Sequence, residues 1–180
     1  MRAVRPGYDV SAAQVPEGRP KPPAITLQSP AMAHTYCSGL FHCVVSTKHR
    51  LKSIAVGLQP DLWAYMGGVA RAHEMKALAV GGMDDHLHIL LPLSSTMAVS
   101  KAMQLIKAAS SKWLHEQHHQ RGFEWQEGYG AFSIGIAQVN ATVAYIHRQK
   151  EHHRKHDYKA EFLAFLKKHC LDYDPRYIWD

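Results

Sequence analysis

Cysteines are scarce in this sequence and long apolar runs are missing, and each shortage excludes a class of protein. The three cysteines, Cys37, Cys43 and Cys170, lack the paired spacing of a disulfide scaffold or a Cys-x-x-Cys metal site, which favours a reducing compartment. No apolar run of about 18 residues could span a membrane, and the N-terminus lacks the apolar core of a signal peptide. A Walker-type glycine-rich loop is also missing. We therefore expect a soluble, cytoplasmic protein with no membrane partner and no nucleotide cofactor.

Proline is concentrated at the N-terminus. Residues 1–31 hold six of the nine prolines and show little apolar periodicity, which predicts a disordered leader and makes Met32 a candidate for the natural start. Residues 32–180 are then expected to form one domain, long enough to bury a core. The formal net charge of +6 allows an anionic partner such as nucleic acid without requiring one.

Hydrophobic periodicity predicts a strand, a helix and a hairpin in the first half of the chain. Loose alternation over 36–46 predicts the first strand, and apolar spacing predicts a helix that begins at Pro60. A short strand over 76–80, a glycine-containing turn and a strand that begins at His86 and ends at Pro92 would form the hairpin.

In the second half of the chain, hydrophobic periodicity predicts a helix over 99–116, a strand over 131–136 and an amphipathic helix over 158–169. Between the strand and the last helix, Asn140 is a candidate N-cap for a further helix. The order strand, helix, strand, strand, helix, strand is typical of an α+β fold of the ferredoxin-like, split βαβ type. We expect an antiparallel sheet with helices on one face, a C-terminal tyrosine-bearing helix, and a second face free for substrate. The apolar side chains of the tail, 171–180, should pack on the domain or on a partner subunit.

Two histidines, His86 and His88, bracket one apolar residue in the predicted hairpin. Side chains alternate along a strand, so both imidazoles share a face while Leu87 points into the core. This spacing suits a metal ion, which would need at least one further ligand. In a chain with 14 histidines, chance is the competing explanation.

Tyr145 and Gln149 are four residues apart in a predicted helix and therefore share one face. With about 100° per residue, Tyr145 lies about 100° from the apolar stripe of that helix, which is unusual for a core tyrosine. A hydroxyl and an amide oxygen could then face a metal ion together.

These residues resemble a known family. His86, Leu87 and His88 resemble the His-hydrophobic-His motif of the single-tyrosine HUH transposases of the insertion sequence 200/605 type, and 145–153 resembles their nucleophile helix. Further similar segments extend the resemblance over roughly 32–180; they are 81–92, 100–113, 125–133 and 172–179. The resemblance implies a homodimeric enzyme that cuts and rejoins single-stranded DNA at ends folded into hairpins. Certain relatives act instead on repeated palindromes of bacterial chromosomes.

The same resemblance implies the roles of four residues. Tyr145 would be the nucleophile that forms a 5'-phosphotyrosine, in cis or in trans, and His86, His88 and Gln149 would bind Mg²⁺ or Mn²⁺. A phosphotyrosine link keeps the free energy of the phosphodiester, so rejoining needs no nucleotide cofactor. A free tyrosine has a pKa of about 10 and attacks poorly, whereas a metal near the phosphate can stabilise the developing charge. The sequence shows no evident general base, although His152 is a candidate.

Basic and aromatic side chains supply candidates for contact with a DNA strand. The basic candidates are Lys48, Arg50, Lys107, Lys112 and Arg148. Trp125 or Tyr129 could stack on bases. For the lysines, a solvated helix face is the competing explanation.

Two other functions fit the same residues. The first is a non-catalytic DNA-hairpin or repeat-binding protein on the same fold. The second is a metal-dependent hydrolase in which water attacks and Tyr145 only binds, so cleavage would leave no covalent adduct.

Overall fold

Four strands and five α-helices make up the part of the chain that the structure, a computed structural model, describes, which is residues 36–179. The strands are β1 (Gly39–Ser46), β2 (Ala79–Gly82), β3 (His86–Leu93) and β4 (Gly130–Ser133). The helices are α1 (Gln59–Ala72), α2 (Val99–Gln117), α3 (Val139–His147), α4 (Gln149–His152) and α5 (Tyr158–Lys168). Short 3₁₀ segments cover Lys48–Arg50 and Ile136–Gln138. The predicted leader and Met32 lie outside the described residues.

The strands form one antiparallel sheet in the order β2-β3-β1-β4. The long pair β1 and β3 forms its centre, in register from Gly39 opposite Leu93 to Ser46 opposite His86. Because β3 lies between β1 and β2, the first βαβ unit is split by an inserted strand. The α+β, ferredoxin-like prediction is therefore confirmed.

One face of the sheet carries the larger core, beneath α1 and α2. Alternate strand residues point into it, as the period of two requires. They are Cys43, Val45, Leu87, Ile89 and Leu91, which pack with Leu62, Met66, Ala102, Met103 and Ile106 of the two helices. These helices occupy the face on which the sequence placed them.

The opposite face is covered as well, which the sequence did not predict. Leu40 and Leu90 pack with Val139 and Ile146 of α3, and a separate cluster joins Val44 and Phe132 to Tyr158 and Leu166 of α5. The predicted hairpin histidines point to this face, so they lie beneath two helices rather than on an open surface.

Several predicted boundaries were wrong. β1 begins at Gly39 rather than at 36, and β4 occupies Gly130–Ser133 rather than 131–136. β2 occupies Ala79–Gly82 rather than 76–80. Pro92 does not end β3 but lies inside it, opposite Leu40 of β1. Proline is tolerated there because the described pairing of β3 with β2 stops at Leu90, which leaves that side of the strand unpaired. Asn140 is not the cap, since α3 already begins at Val139.

The aromatic segment before β4 belongs to the core. Trp125 is 7% exposed, and its indole N–H donates to Ser110 Oγ at 3.0 Å, so its proposed role in base stacking was wrong. Tyr129 is partly buried against the same core. In the tail, Ile178 and Trp179 pack against the α5 cluster, whereas Tyr173 and Tyr177 are exposed. No helix among residues 36–179 has the length and apolar character to cross a membrane.

The close packing of α3 on β2 yields a stability prediction. A Cβ at Gly81 would lie 2.6 Å from the Ile146 carbonyl oxygen, so Gly81→Ala should displace α3 and lower the free energy of unfolding by about 1–3 kcal/mol. Urea unfolding followed by circular dichroism measures this. Gly128→Ala is the matched control, because nothing lies within 4 Å of its added Cβ. Equal midpoints for the two variants would contradict the packing.

Candidate active site

The two hairpin histidines lie on β3 beneath α3 and α5 and are almost completely buried, at 1% exposure for His86 and 0% for His88. Their ring centroids are 5.3 Å apart. Leu87, between them, packs in the core on the opposite face of the sheet. Alternation along one strand is thus sufficient to place both imidazoles side by side.

His86 is oriented by a carboxylate. Its Nδ1 lies 2.6 Å from Asp85 Oδ1, and Arg50 donates to the other Asp85 oxygen at 2.9 Å. Burial alone would raise the pKa of Asp85, but His86 and Arg50 outweigh it and hold the pKa at about 2. Because an ionised carboxylate only accepts, Nδ1 carries the proton and Nε2 presents a lone pair. That Nε2 lies 3.4 Å from Gln149 Oε1.

His88 pairs with a third histidine that the sequence analysis did not single out. Its Nδ1 lies 3.0 Å from His42 Nε2 on β1. Burial, followed by the neighbouring imidazole, lowers the pKa of His42 to about 3. Burial also lowers the pKa of His88 to about 4, although Glu161 opposes the shift. Both rings are therefore neutral near pH 7, which is the form that binds metal ions.

Tyr145 and Gln149 are brought together, but not by one continuous helix. α3 ends at His147, and Arg148, with φ −98° and ψ 18°, separates it from Gln149 at the start of α4. The Arg148 N–H still bonds to the Ala144 and Tyr145 carbonyls, so the turn stays tight. Tyr145 is partly buried and Gln149 is 1% exposed.

Glu161 on α5 is the central residue that sequence reasoning missed. The Tyr145 hydroxyl donates to its Oε1, and Gln149 Nε2 and His152 Nε2 lie 3.4 and 3.5 Å from the same oxygen. The sequence did contain a signal for an inward-facing Glu161, because this residue lies three positions after Tyr158 and four before Phe165. A carboxylate therefore falls on the inward face of an amphipathic helix.

The second oxygen of Glu161 faces imidazoles. Oε2 lies 3.5 Å from His88 Nε2, 3.5 Å from His153 Nε2 and 4.0 Å from His86 Nε2. Burial would raise the pKa of Glu161, but the His153 and His88 rings outweigh it and hold the pKa well below its usual range. Burial and the Glu161 charge raise the pKa of Tyr145, so its hydroxyl keeps its proton at neutral pH.

Four side chains here could hold a metal ion, namely His86, His88, His153 and Glu161, whose donor atoms all lie within 4.8 Å of one another. His88 Nε2, His153 Nε2 and Glu161 Oε2 are buried and find no hydrogen-bond partner among residues 36–179. Nitrogen and carboxylate oxygen donors suit first-row divalent ions. The residues present therefore fit a metal.

Two cavities border Tyr145. One, of about 560 Å³, extends between α3 and α5 and is lined in part by His42, Ala141, Phe165 and His169. The other, of about 520 Å³, is bordered by the basic and imidazole side chains of Arg148, His152, Lys155 and His156, with Glu151 as its acidic member. A strand could thus reach the hydroxyl from a basic side.

The five predicted DNA contacts are not equally available. Arg148 is exposed and borders the second cavity. The Arg50 side chain already forms ion pairs with Asp85 and Asp157, so it is less available to DNA. Lys107 is partly buried and donates to two backbone carbonyls, at 2.5 and 2.7 Å.

The other two predicted contacts form ion pairs on the surface. Lys48 pairs with Glu124, and both side chains are about half exposed. Lys112 lies 3.9 Å from Glu116 along α2 and is 74% exposed. Exposed pairs of this kind are weak, so neither lysine is fixed by its partner.

Comparisons with known proteins agree with this architecture. Residues 35–149 match the sequence model of the family described as "Transposase IS200 like". Transposases for insertion sequence element IS200 from Salmonella typhimurium and Salmonella typhi are each 25% identical over 111 residues, which is 58% of this chain and 73% of theirs.

Two solved structures share the fold. A Deinococcus radiodurans protein assigned to the transposases superposes with a TM-score of 0.52 at 19% identity, over 68% of this chain and 98% of that one. A REP-associated tyrosine transposase bound to a REP hairpin gives a TM-score of 0.51 at 16% identity, over 70% and 74% of the two chains.

The family match covers more than half of the chain and includes β3, with its two histidines, and the whole of α3. It supports a DNA-processing role in transposition. The chain belongs to the IS200-like transposase family.

Proposed function

We propose that this chain cleaves and rejoins single-stranded DNA through Tyr145, with a divalent metal bound beside it. The observation that carries the proposal is the convergence of the Tyr145 hydroxyl and four imidazole nitrogens on the buried carboxylate of Glu161. Nucleophile and candidate metal ligands therefore occupy a single site, next to a basic cavity.

In the proposed reaction the Tyr145 oxygen forms a bond to phosphorus while the bond from phosphorus to the 3'-oxygen breaks. The 5'-phosphate stays on the tyrosine, and the proton of the tyrosine hydroxyl passes through solvent to the 3'-oxygen as it leaves. Rejoining reverses these steps with an incoming 3'-hydroxyl. The hydrogen bond to Glu161 holds the hydroxyl in place beforehand.

His86, His88 and Gln149 would hold the metal, Mg²⁺ or Mn²⁺. When bound, such an ion stabilises negative charge on the phosphate oxygens. Asp85 keeps His86 in the tautomer whose Nε2 points toward Gln149. Arg148 and Lys155 would bind the phosphates that flank the cut.

The proposed partner is single-stranded DNA that carries hairpins. A structurally similar transposase is bound to a REP hairpin, which supports this choice. The family resemblance also supports a homodimer, for which light scattering in solution is the direct test. A repressor-like, non-catalytic hairpin-binding protein is the alternative. The co-assembly of His86, His88, Tyr145 and Gln149 favours the enzyme.

Tyr145→Phe should abolish covalent capture of DNA, because it removes the only atom of this side chain that can attack phosphorus. The measurement is a denaturing gel of protein incubated with labelled hairpin-bearing single strands and Mn²⁺. Tyr177→Phe, at an exposed tail position, is the control and should form the adduct normally. Hairpin binding with no adduct in the unmodified protein would favour the non-catalytic alternative. Cleavage that survives Tyr145→Phe would indicate a hydrolase.

Asp85→Asn should weaken Mn²⁺ binding by about 10–100-fold, because an amide no longer fixes the tautomer of His86 as the carboxylate does. Isothermal titration calorimetry measures the affinity. Asp84→Asn is the matched control, since the neighbouring Asp84 pairs only loosely with Lys52, at 3.5 Å. Equal affinities for the two variants would argue against His86 as a ligand.

Replacing both Arg148 and Lys155 with alanine should weaken single-strand binding at low salt and reduce its salt dependence. Each lost phosphate contact lowers the slope of log K against log salt by about 0.7, so we expect a decrease of about 1.4. Fluorescence anisotropy at several salt concentrations measures the slope. Lys101→Ala, on the exposed side of α2, should leave it unchanged. An unaltered slope in the double variant would remove the second cavity from the DNA interface.

A further inference from the structure

We infer that Glu161 and His153 complete the metal site begun by His86 and His88, so that one carboxylate joins the metal to the nucleophilic tyrosine. The inference rests on the proposed metal-dependent function and deepens it. Both residues lie beyond 149, where the family match ends. The additional ligands therefore come from α5 and from the segment that precedes it.

Hydrogen bonding turns two of the imidazoles toward a common point. His86 Nδ1 faces the Asp85 carboxylate at 2.6 Å, and His153 Nδ1 faces the His156 carbonyl at 2.9 Å. Both partners are pure acceptors, so in each neutral ring the proton lies on Nδ1 and the lone pair on Nε2. His88, whose Nδ1 can donate to His42, can present Nε2 in the same way.

Glu161 Oε2 is directed at these same three nitrogens. The three ring nitrogens lie 3.5–4.0 Å from this carboxylate oxygen, and three of the four atoms find no hydrogen-bond partner among residues 36–179. Buried polar atoms without hydrogen-bond partners are costly, and a cation bound between these four atoms would satisfy all of them at once. Donor atoms around a first-row ion bound at about 2.1 Å lie about 3.0–3.4 Å apart, so the four donors, which here lie within 4.8 Å of one another, would move closer together on binding.

The charge of Glu161 also favours a bound metal ion. The carboxylate is 6% exposed, and no lysine or arginine in the described part of the chain pairs with it. A buried carboxylate without a cationic partner is costly. A divalent ion bound between Oε2 and the ring nitrogens would supply that partner.

The two oxygens of Glu161 have different neighbours, which connects the metal to the chemistry. Oε2 faces the imidazoles, whereas Oε1 accepts the Tyr145 hydroxyl and lies 3.4 Å from Gln149 Nε2. An ion held by Oε2 would therefore fix the position of the tyrosine. The carboxylate also adds a hard oxygen to a site of imidazoles and one amide, which shifts its preference toward Mn²⁺ and Mg²⁺.

The test is Mn²⁺ binding by the full chain, after treatment with EDTA, followed through the six-line electron paramagnetic resonance signal of free Mn²⁺. We expect Glu161→Gln and His153→Ala each to weaken binding by at least about tenfold. Glu151→Gln, at an exposed position on α4, is the matched control and should bind as the unmodified chain does. Circular dichroism verifies that each variant folds, and His153→Ala decides the test if Glu161→Gln does not fold.

The outcomes separate this inference from the proposed function. If Glu161→Gln and His153→Ala bind Mn²⁺ as tightly as the unmodified chain while His86→Ala does not, the two additional ligands are excluded and the histidine metal site stands. Tighter binding by Glu161→Gln would show that the carboxylate merely occupies the metal position. If the unmodified chain forms a DNA adduct but binds no Mn²⁺, the inference fails and tyrosine chemistry remains.

Discussion

A buried carboxylate whose two oxygens lie close to four imidazoles is the constraint on which the rest of this structure depends. Glu161 cannot lie beneath the surface without partners, because removing a charge from water costs several kcal/mol. Its neighbours are provided by separate elements, namely His88 on β3, His153 after α4 and Tyr145 on α3. Elements distant in sequence therefore have to meet at one point, and the site forms only when the whole fold does.

These elements meet on the face of the sheet opposite α1 and α2, where α3 and α5 pack. Gly81 lets α3 lie directly on β2, since a larger residue would contact the Ile146 carbonyl. α5 packs beside it through Tyr158 and Leu166. The two helices exclude water from the histidines, which lowers the pKa of His88 and keeps its ring neutral. Burial and metal affinity thus have a common cause.

Local pattern was enough to predict the order of strands and helices along the chain, the hairpin, and the shared face of His86 and His88, because hydrophobic periodicity and alternation are local properties. The motif spacing also predicted that Tyr145 and Gln149 would be neighbours, although Arg148 breaks the helix between them. Glu161 could not be found in this way, since its partners are set by the packing of α5. The prediction that Trp125 stacks on bases failed for the same reason, because composition cannot distinguish a base-stacking aromatic residue from a core residue.

The most direct test of the central claim is anomalous diffraction at the manganese absorption edge, from crystals of the full chain grown with Mn²⁺. The account predicts one strong peak within about 2.3 Å of Glu161 Oε2 and of the Nε2 atoms of His86, His88 and His153, with the Tyr145 hydroxyl still bonded to the other carboxylate oxygen. A peak bound by the histidines alone, with Glu161 turned away, would contradict the link between metal and nucleophile. The absence of any peak at this site would contradict the metal centre itself.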